Sequence, residues 1–237
     1  MAEEFVDRDL TGAVFWAVDL SGARFRDVNL TDVTISHAWV VNVDIDALVD
    51  RVTINGVDVT QYVNERDRWY PLRAMIRSTD PDGMRAAWRA LEEAWAATIE
   101  KAQRLSEEQL HVSVGGEWSF VDTVRHLVFA MEKWFTVPIL GAEAFDPIGL
   151  PNTGSVERDW PGLDQTAVPT VDAALDTRTR HAAQFRSFLD SVTPADLERE
   201  ADVPENGTTP VRECLFTVFE EEFHHNRYAL RDLAHFE

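Results

Sequence analysis

The run Cys214-Leu-Phe-Thr-Val-Phe-Glu-Glu-Glu-Phe-His-His-Asn-Arg-Tyr-Ala-Leu230 decides how the rest of the chain is read. Neither glycine nor proline occurs between Val211 and Glu237, and Leu215, Phe216, Val218, Phe219, Phe223, Tyr228, Leu230 and Leu233 recur at helical spacing. That pattern predicts a long, mostly buried helix. Glu221 and His225 stand four residues apart within it, so a carboxylate and an imidazole share one face, a turn apart. Such groups are costly in a buried helix unless something pairs with them, and a divalent metal would do so. A plainer reading is also open: Glu220, Glu221 and Glu222 as a solvated strip, with His224 an ordinary half-buried histidine. Glu220 and His224 repeat the same spacing, rotated by about 100° on an α-helix.

Upstream, the apolar periodicity predicts three more helices. Asp80-Pro81-Asp82 starts one that runs from Met84 to Leu105, with Trp88, Leu91, Trp95, Ile99 and Ala102 as its inward stripe. Gly115-Gly116 breaks the chain, and Ser119, with Asp122 three residues on, caps a second helix that continues to about Leu140. His126 lies on that helix in one stripe with Thr123 and Ala130, which can face the interior. A third helix spans Val171 to Val192, and the last begins near Pro210. Four helices joined by loops predict a four-helix bundle. Between the second and third, residues 141–169 hold four prolines and four glycines, a loop long enough to suggest a functional role.

The first sixty residues keep a different period. Leu10, Phe15, Leu20, Phe25, Leu30, Ile35, Val40 and Ile45 are five apart, and Ala13, Val18, Ala23, Val28, Val33, Ala38 and Val43 stand two places before most of them. Neither a helix nor a flat strand keeps that spacing. Asp19-Leu20-Ser21-Gly22-Ala23 and Asn29-Leu30-Thr31-Asp32-Val33 resemble pentapeptide repeats, which implies a short right-handed quadrilateral β-helix whose large and small partners point inward. After Ile45 the phase slips by one residue, leaving two to three coils, read as a cap or brace on the helical domain. Asn55-Gly56 marks a tight turn. The expected fold is therefore mainly α with a small all-β N-terminal part: a β-helix over residues 1–62, a connector over 63–82 in which Trp69, Tyr70, Leu72, Met75 and Ile76 clamp the two parts, and the helical bundle over 83–237.

Lys and Arg number 22 against 42 Asp and Glu, a formal charge of -20 spread along the chain. Such a surface repels phosphate backbones, so nucleic acid and anionic membranes are poor partners. Cys214 is the one cysteine, which excludes an intramolecular disulfide. The opening Met-Ala-Glu-Glu has no signal-peptide character and no stretch is long enough to span a bilayer, so the expected location is cytoplasmic. An exposed aromatic stripe would suit a homodimer. His181 has charged neighbours and reads as a surface residue within reach of the site's mouth, Cys214 reads as a buried, inert thiol, and Arg231 and Asp232 as supports of the site or solvated groups.

The segment Trp118-Ser119 at a helix start, with His126 seven residues after the serine, resembles the DinB-like (DinB/YfiT) metalloenzyme superfamily. His225-Asn-Arg227-Tyr228-Ala-Leu-Arg231-Asp232-Leu233 resembles the closing helix of its actinobacterial members, and Asn55-Gly56-Val57 the segment before their bundle. Members hold a divalent metal with one ligand from the second helix and two from the last; in the mycothiol-dependent maleylpyruvate isomerase branch one of the latter is glutamate. Carried over, the resemblance implies His126, Glu221 and His225 as ligands, zinc as the metal with nickel, iron and manganese as alternatives, and mycothiol or a similar thiol as co-substrate. Glu221/His225 is preferred to Glu220/His224 because it aligns with the Arg227-Tyr228 run. The implied activity is a thiol-dependent S-transferase or isomerase acting on a small molecule, with a non-catalytic metal or ligand binder and a metal-assisted hydrolase as alternatives.

Overall fold

A four-residue turn recurs every ten residues at the start of the chain. The computed structural model describes residues 3–5, 8–25, 28–152 and 154–236, so Met1 and Ala2 lie outside the described residues. It divides into two compact units, Met1–Asp46 and Ala47–Glu237. In the first, Leu10 O, Leu20 O and Leu30 O accept from the amides of Ala13, Ala23 and Val33 at 2.9, 3.0 and 3.3 Å. Gly12, Gly22 and Asp32 supply the positive φ that such turns need at their third residue. Asp9, Asp19 and Asn29 brace them by accepting from the amides two residues on. At the intervening corners Ala17, His37 and Asn42 are left-handed. No strand is assigned among the described residues of this unit. The large repeat residues stay open to solvent, from Leu10 at 45% to Ile35 at 75% exposed. Eight repeats at four to a turn would make only two coils, giving each inner side chain at most one stacked neighbour.

The second unit opens with a hairpin, β1 (Thr53–Ile54) against β2 (Val57–Asp58), in which Ile54 pairs with Val57. Asn55 and Gly56 both take positive φ, 52° and 80°, as a two-residue turn of this hand requires. Short helices α1 (Thr60–Asn64) and α2 (Tyr70–Met75) follow. Trp69, Leu72, Met75 and Ile76 pack on the helical core rather than outward, with Trp69 edge-on to Phe223 at 6.2 Å.

Helix α3 (Pro81–Ala102) starts where Asp80 accepts from Gly83 N, with Pro81 in the first turn where its missing N–H costs nothing. After α4 (Glu107–Leu110), opened by a Ser106/Gln109 capping box, α5 (Phe120–Met131) begins at Ser119, whose hydroxyl accepts from Asp122 N. The chain then runs through α6 (Val171–Ser191), α7 (Pro194–Leu197), a hairpin of β3 (Glu200–Val203) and β4 (Gly207–Pro210), and α8 (Val211–Leu233). Helix α3 packs on α6 and α8, and α5 on the same two, so each long helix touches two others. Trp88, Phe185 and Phe219 meet between them, with ring centroids 4.6 Å apart for the first two and 5.6 Å for the last two. Burying three such rings is the main apolar contribution at that level. Among the described residues no helix is long and apolar enough to cross a membrane.

Two differences from the sequence-based expectation bear on the helical unit. The second helix stops at Met131 rather than near Leu140 and passes into a π-helical turn, Glu132–Thr136. Pro138 explains it: it has no N–H to give, and its ring would strike the Trp134 carbonyl of a regular helix. The widened turn, with Val137 N bonded to Glu132 O at 3.0 Å, relieves that conflict. The β3–β4 hairpin is the other difference, since the sequence marks only its turn at Asn206-Gly207. Its inward residues Ala201 and Val203 are too few for periodicity to reveal a strand.

Candidate metal centre

Glu220, Glu221 and Glu222 leave α8 about 100° apart, and each faces a different neighbour. Glu220 pairs with Arg77, just beyond α2. Glu222, 1% exposed, pairs with Arg178 of α6. The Arg178 guanidinium also lies 4.3 Å from the Trp95 ring, whose indole N–H donates to the Glu222 carbonyl at 3.1 Å. Glu221 is left facing α5, where its Oε2 lies 3.3 Å from His126 Nε2 and 3.2 Å from His225 Nδ1. The solvated-strip reading therefore fails: side chains one residue apart are committed to three separate contacts. His224 turns instead to Phe223 and Tyr228, at 5.2 and 6.3 Å.

His126, Glu221 and His225 each offer a ligand atom within 4.8 Å of the other two. His126 is buried at 5% exposed, and the other two are half-buried. Both imidazoles are oriented by carbonyls: His126 Nδ1–H donates to Leu150 O at 3.0 Å, and His225 Nδ1–H to Glu221 O at 2.8 Å. With Nδ1–H committed to a carbonyl, Nε2 is the nitrogen of each ring left for a metal; in His126 it faces Glu221 Oε2, so an ion would take the place of any proton shared there. Two imidazoles and a carboxylate are a donor set that suits zinc or iron with coordination positions to spare. The residues present thus fit a divalent ion.

The electrostatics agree. Burial pushes the Glu221 carboxyl up, but hydrogen bonds and charge from His126 and His225 outweigh it and hold the group well below the usual carboxylate range. His225 shows the converse, burial lowering it and the Glu221 carboxylate raising it further, so that its proton is held more tightly than usual. A cation binding here competes with that proton. Trp118 lies against both rings, 4.6 Å from His126 and stacked 6.1 Å from His225, while Tyr228 stands edge-on to His225 at 5.7 Å.

The long loop belongs to this centre. Phe145 and Trp160 are buried against Phe129 of α5, and Glu205 at the β3–β4 tip ties the loop down through Ser155, Arg158 and Lys133 at 2.7, 2.8 and 2.7 Å. The Leu150 carbonyl is a contact that side-chain motifs could not reveal. Trp118 is visible in the sequence, but only as a family mark.

Other candidates fall elsewhere. His181 is buried, not on the surface, and faces Glu132 of the π-helical turn after α5, with Nε2 and Oε1 3.5 Å apart. Burial pushes its pKa down to about 4 and that of Glu132 up to about 8. The sequence signal for Glu132 is a lone acid in an otherwise apolar helical stretch. Cys214 is buried, and burial raises its thiol to about 11, which keeps it protonated and inert. Arg231 and Asp232 form a bidentate pair with each other at 2.7 and 3.0 Å.

The family comparisons agree with this architecture. A family model described as the DinB superfamily matches residues 90–229, and one described as pentapeptide repeats matches eight copies over residues 9–45. No curated protein and no solved structure matches the chain. The first match covers the helices that carry His126, Glu221 and His225 and more than half of the sequence, and the chain belongs to the DinB superfamily.

Proposed function

We propose that this protein is a metal-dependent enzyme in which His126, Glu221 and His225 hold a divalent ion, zinc first, and that it activates a low-molecular-weight thiol such as mycothiol for S-transfer or isomerisation of a small molecule. In this reading residues 83–237 form a four-helix bundle, joined through a connector over 63–82 to a pentapeptide-repeat β-helix over 1–62. The observation that carries the reading is the convergence of two carbonyl-oriented imidazoles and one carboxylate from α5 and α8. The glutamate at the first α8 position is what favours the thiol-dependent branch.

When bound, the ion would lower the pKa of a thiol or water so that an anion exists at neutral pH. The chain's own groups do the rest. Leu150 O and Glu221 O keep the protons of His126 and His225 on Nδ1, away from the site. The Glu221 carboxylate offsets part of the cation's charge, and Trp118 covers two of the ligands and excludes water from their flank.

The test is incubation of metal-loaded protein with monobromobimane and a panel of thiols including mycothiol. Conjugation should be accelerated with at least one thiol and lost in His225→Ala. Acceleration with none, together with ester or amide cleavage dependent on the same residues, would identify a hydrolase, which the same donor set also suits. Metal binding with neither activity would identify a sensor or scaffold.

A further inference from the structure

The segment Asp146–Leu150 runs beside α5 and is fastened at both ends. At one end the Asp146 amide donates to Glu132 Oε1 at 2.8 Å. At the other, Leu150 O accepts from His126 Nδ1 at 3.0 Å, while Leu150 N donates to Arg125 O at 3.1 Å. Between them Ile148 O accepts from Arg125 Nε at 2.9 Å. The strap touches the helix at ordinary packing distance, a Cβ on Gly149 falling 3.5 Å from Phe129 Cβ of α5, with the Leu163 side chain of the loop covering its other side at 2.8 Å.

Glu132, 3% exposed, is an expensive anchor. Its Oε2 has no partner, nor has Nδ1 of His181 opposite it, and burying unpartnered polar atoms costs free energy. The π-helical turn that starts at Glu132 adds a residue at this point, a local departure common at functional sites. A carboxyl held there at such cost, with one oxygen committed to the strap, is explained by what the strap's far end does.

We infer that Glu132, backed by His181, is a positioning residue for the His126 imidazole: it anchors the strap 146–150, and the strap fixes which His126 nitrogen carries the proton and where the ring points. The consequence for metal rests on the reading of His126 as a ligand; the consequence for the tautomer does not.

The experiment compares Glu132→Met, which keeps the volume and removes the acceptor, with Glu132→Gln, which keeps an acceptor for the Asp146 amide. Long-range 1H–15N spectra of the metal-free protein report the tautomer of His126, and Co2+ affinity is read by chelator competition. Wild type and Glu132→Gln should show His126 fully protonated at Nδ1, and Glu132→Met a mixture in which Nδ1 is partly unprotonated. Co2+ should bind at least about tenfold more weakly to Glu132→Met, as when other outer partners of metal-binding histidines are removed, and within about threefold of wild type in the Gln variant. Should Glu132→Met fail to fold by circular dichroism, Asp146→Pro removes the amide that Glu132 holds and should give the same mixture. An unchanged tautomer and affinity in the folded variant, or equal changes in the Gln and Met variants, would overturn the inference. Failure of wild type to bind Co2+ would sink the metal reading instead, with the tautomer still deciding the role of Glu132.

Discussion

Replacing Glu132 by glutamine should remove a pH dependence of stability that the buried carboxyl imposes. Burial raises the Glu132 pKa from 4.5 to about 8, so between those values the folded chain keeps a proton that the unfolded chain has released. Its stabilising effect is complete below 4.5 and lost as pH rises through 8. His181 has the opposite sign over part of the range: burial lowers it from 6.5 to about 4, so the unfolded chain takes a proton that the folded one refuses, and stability rises with pH from 4 to 6.5. The two oppose one another up to pH 6.5, and Glu132 acts alone above it. One pH unit is about 1.4 kcal/mol for one proton, so wild type should lose about 2 kcal/mol between pH 6.5 and 8 through this group. Urea unfolding followed by helical circular dichroism, with a chelator present to remove linked metal binding, measures it at constant m-value. The difference between wild type and Glu132→Gln should shrink by that amount across the window. Parallel curves would show that the carboxyl titrates normally and that its burial has no energetic meaning.

Two further substitutions probe the elements that carry the site. Ser119→Ala removes the cap that accepts from Asp122 N at 3.1 Å and should cost about 1 kcal/mol, read as a lower Tm. Arg178→Met strands the Glu222 carboxylate in the core and should cost about 3–5 kcal/mol, whereas Arg178→Met/Glu222→Met should recover most of that loss in the same unfolding assay.

The long helices were legible because their signals are local. Asp80 and Ser119 cap as their sequence position implies, and Trp88, Leu91 and Trp95 face inward at helical spacing. That His126, Glu221 and His225 lie together was readable because two of them share a helical face and the third carries a family context. The assignment of three adjacent glutamates to three separate partners was not, because Arg77, Arg178 and His126 are 143, 44 and 95 residues away along the chain. His181 misled for a related reason: Arg178 and Arg180 beside it suggested a solvated face, but Arg178 is itself buried against Glu222. The strap was invisible because it acts through backbone atoms, which carry no sequence signature. In the N-terminal unit a left-handed residue recurs with the period of five at each described corner, but the expected inward packing of the large residues is not met: they stay open to solvent, with few coils to stack on them.

The central claim is that α5 and α8 together grip one divalent ion. Elemental analysis of protein purified without chelator tests it most directly, comparing wild type with His126→Ala, Glu221→Ala and His225→Ala, and with Glu220→Ala and His224→Ala as controls on the same helix. Stoichiometric metal in wild type and both controls, and loss from each of the other three, is the predicted outcome. Metal content unchanged in His126→Ala and His225→Ala, or lost only in the controls, would contradict it.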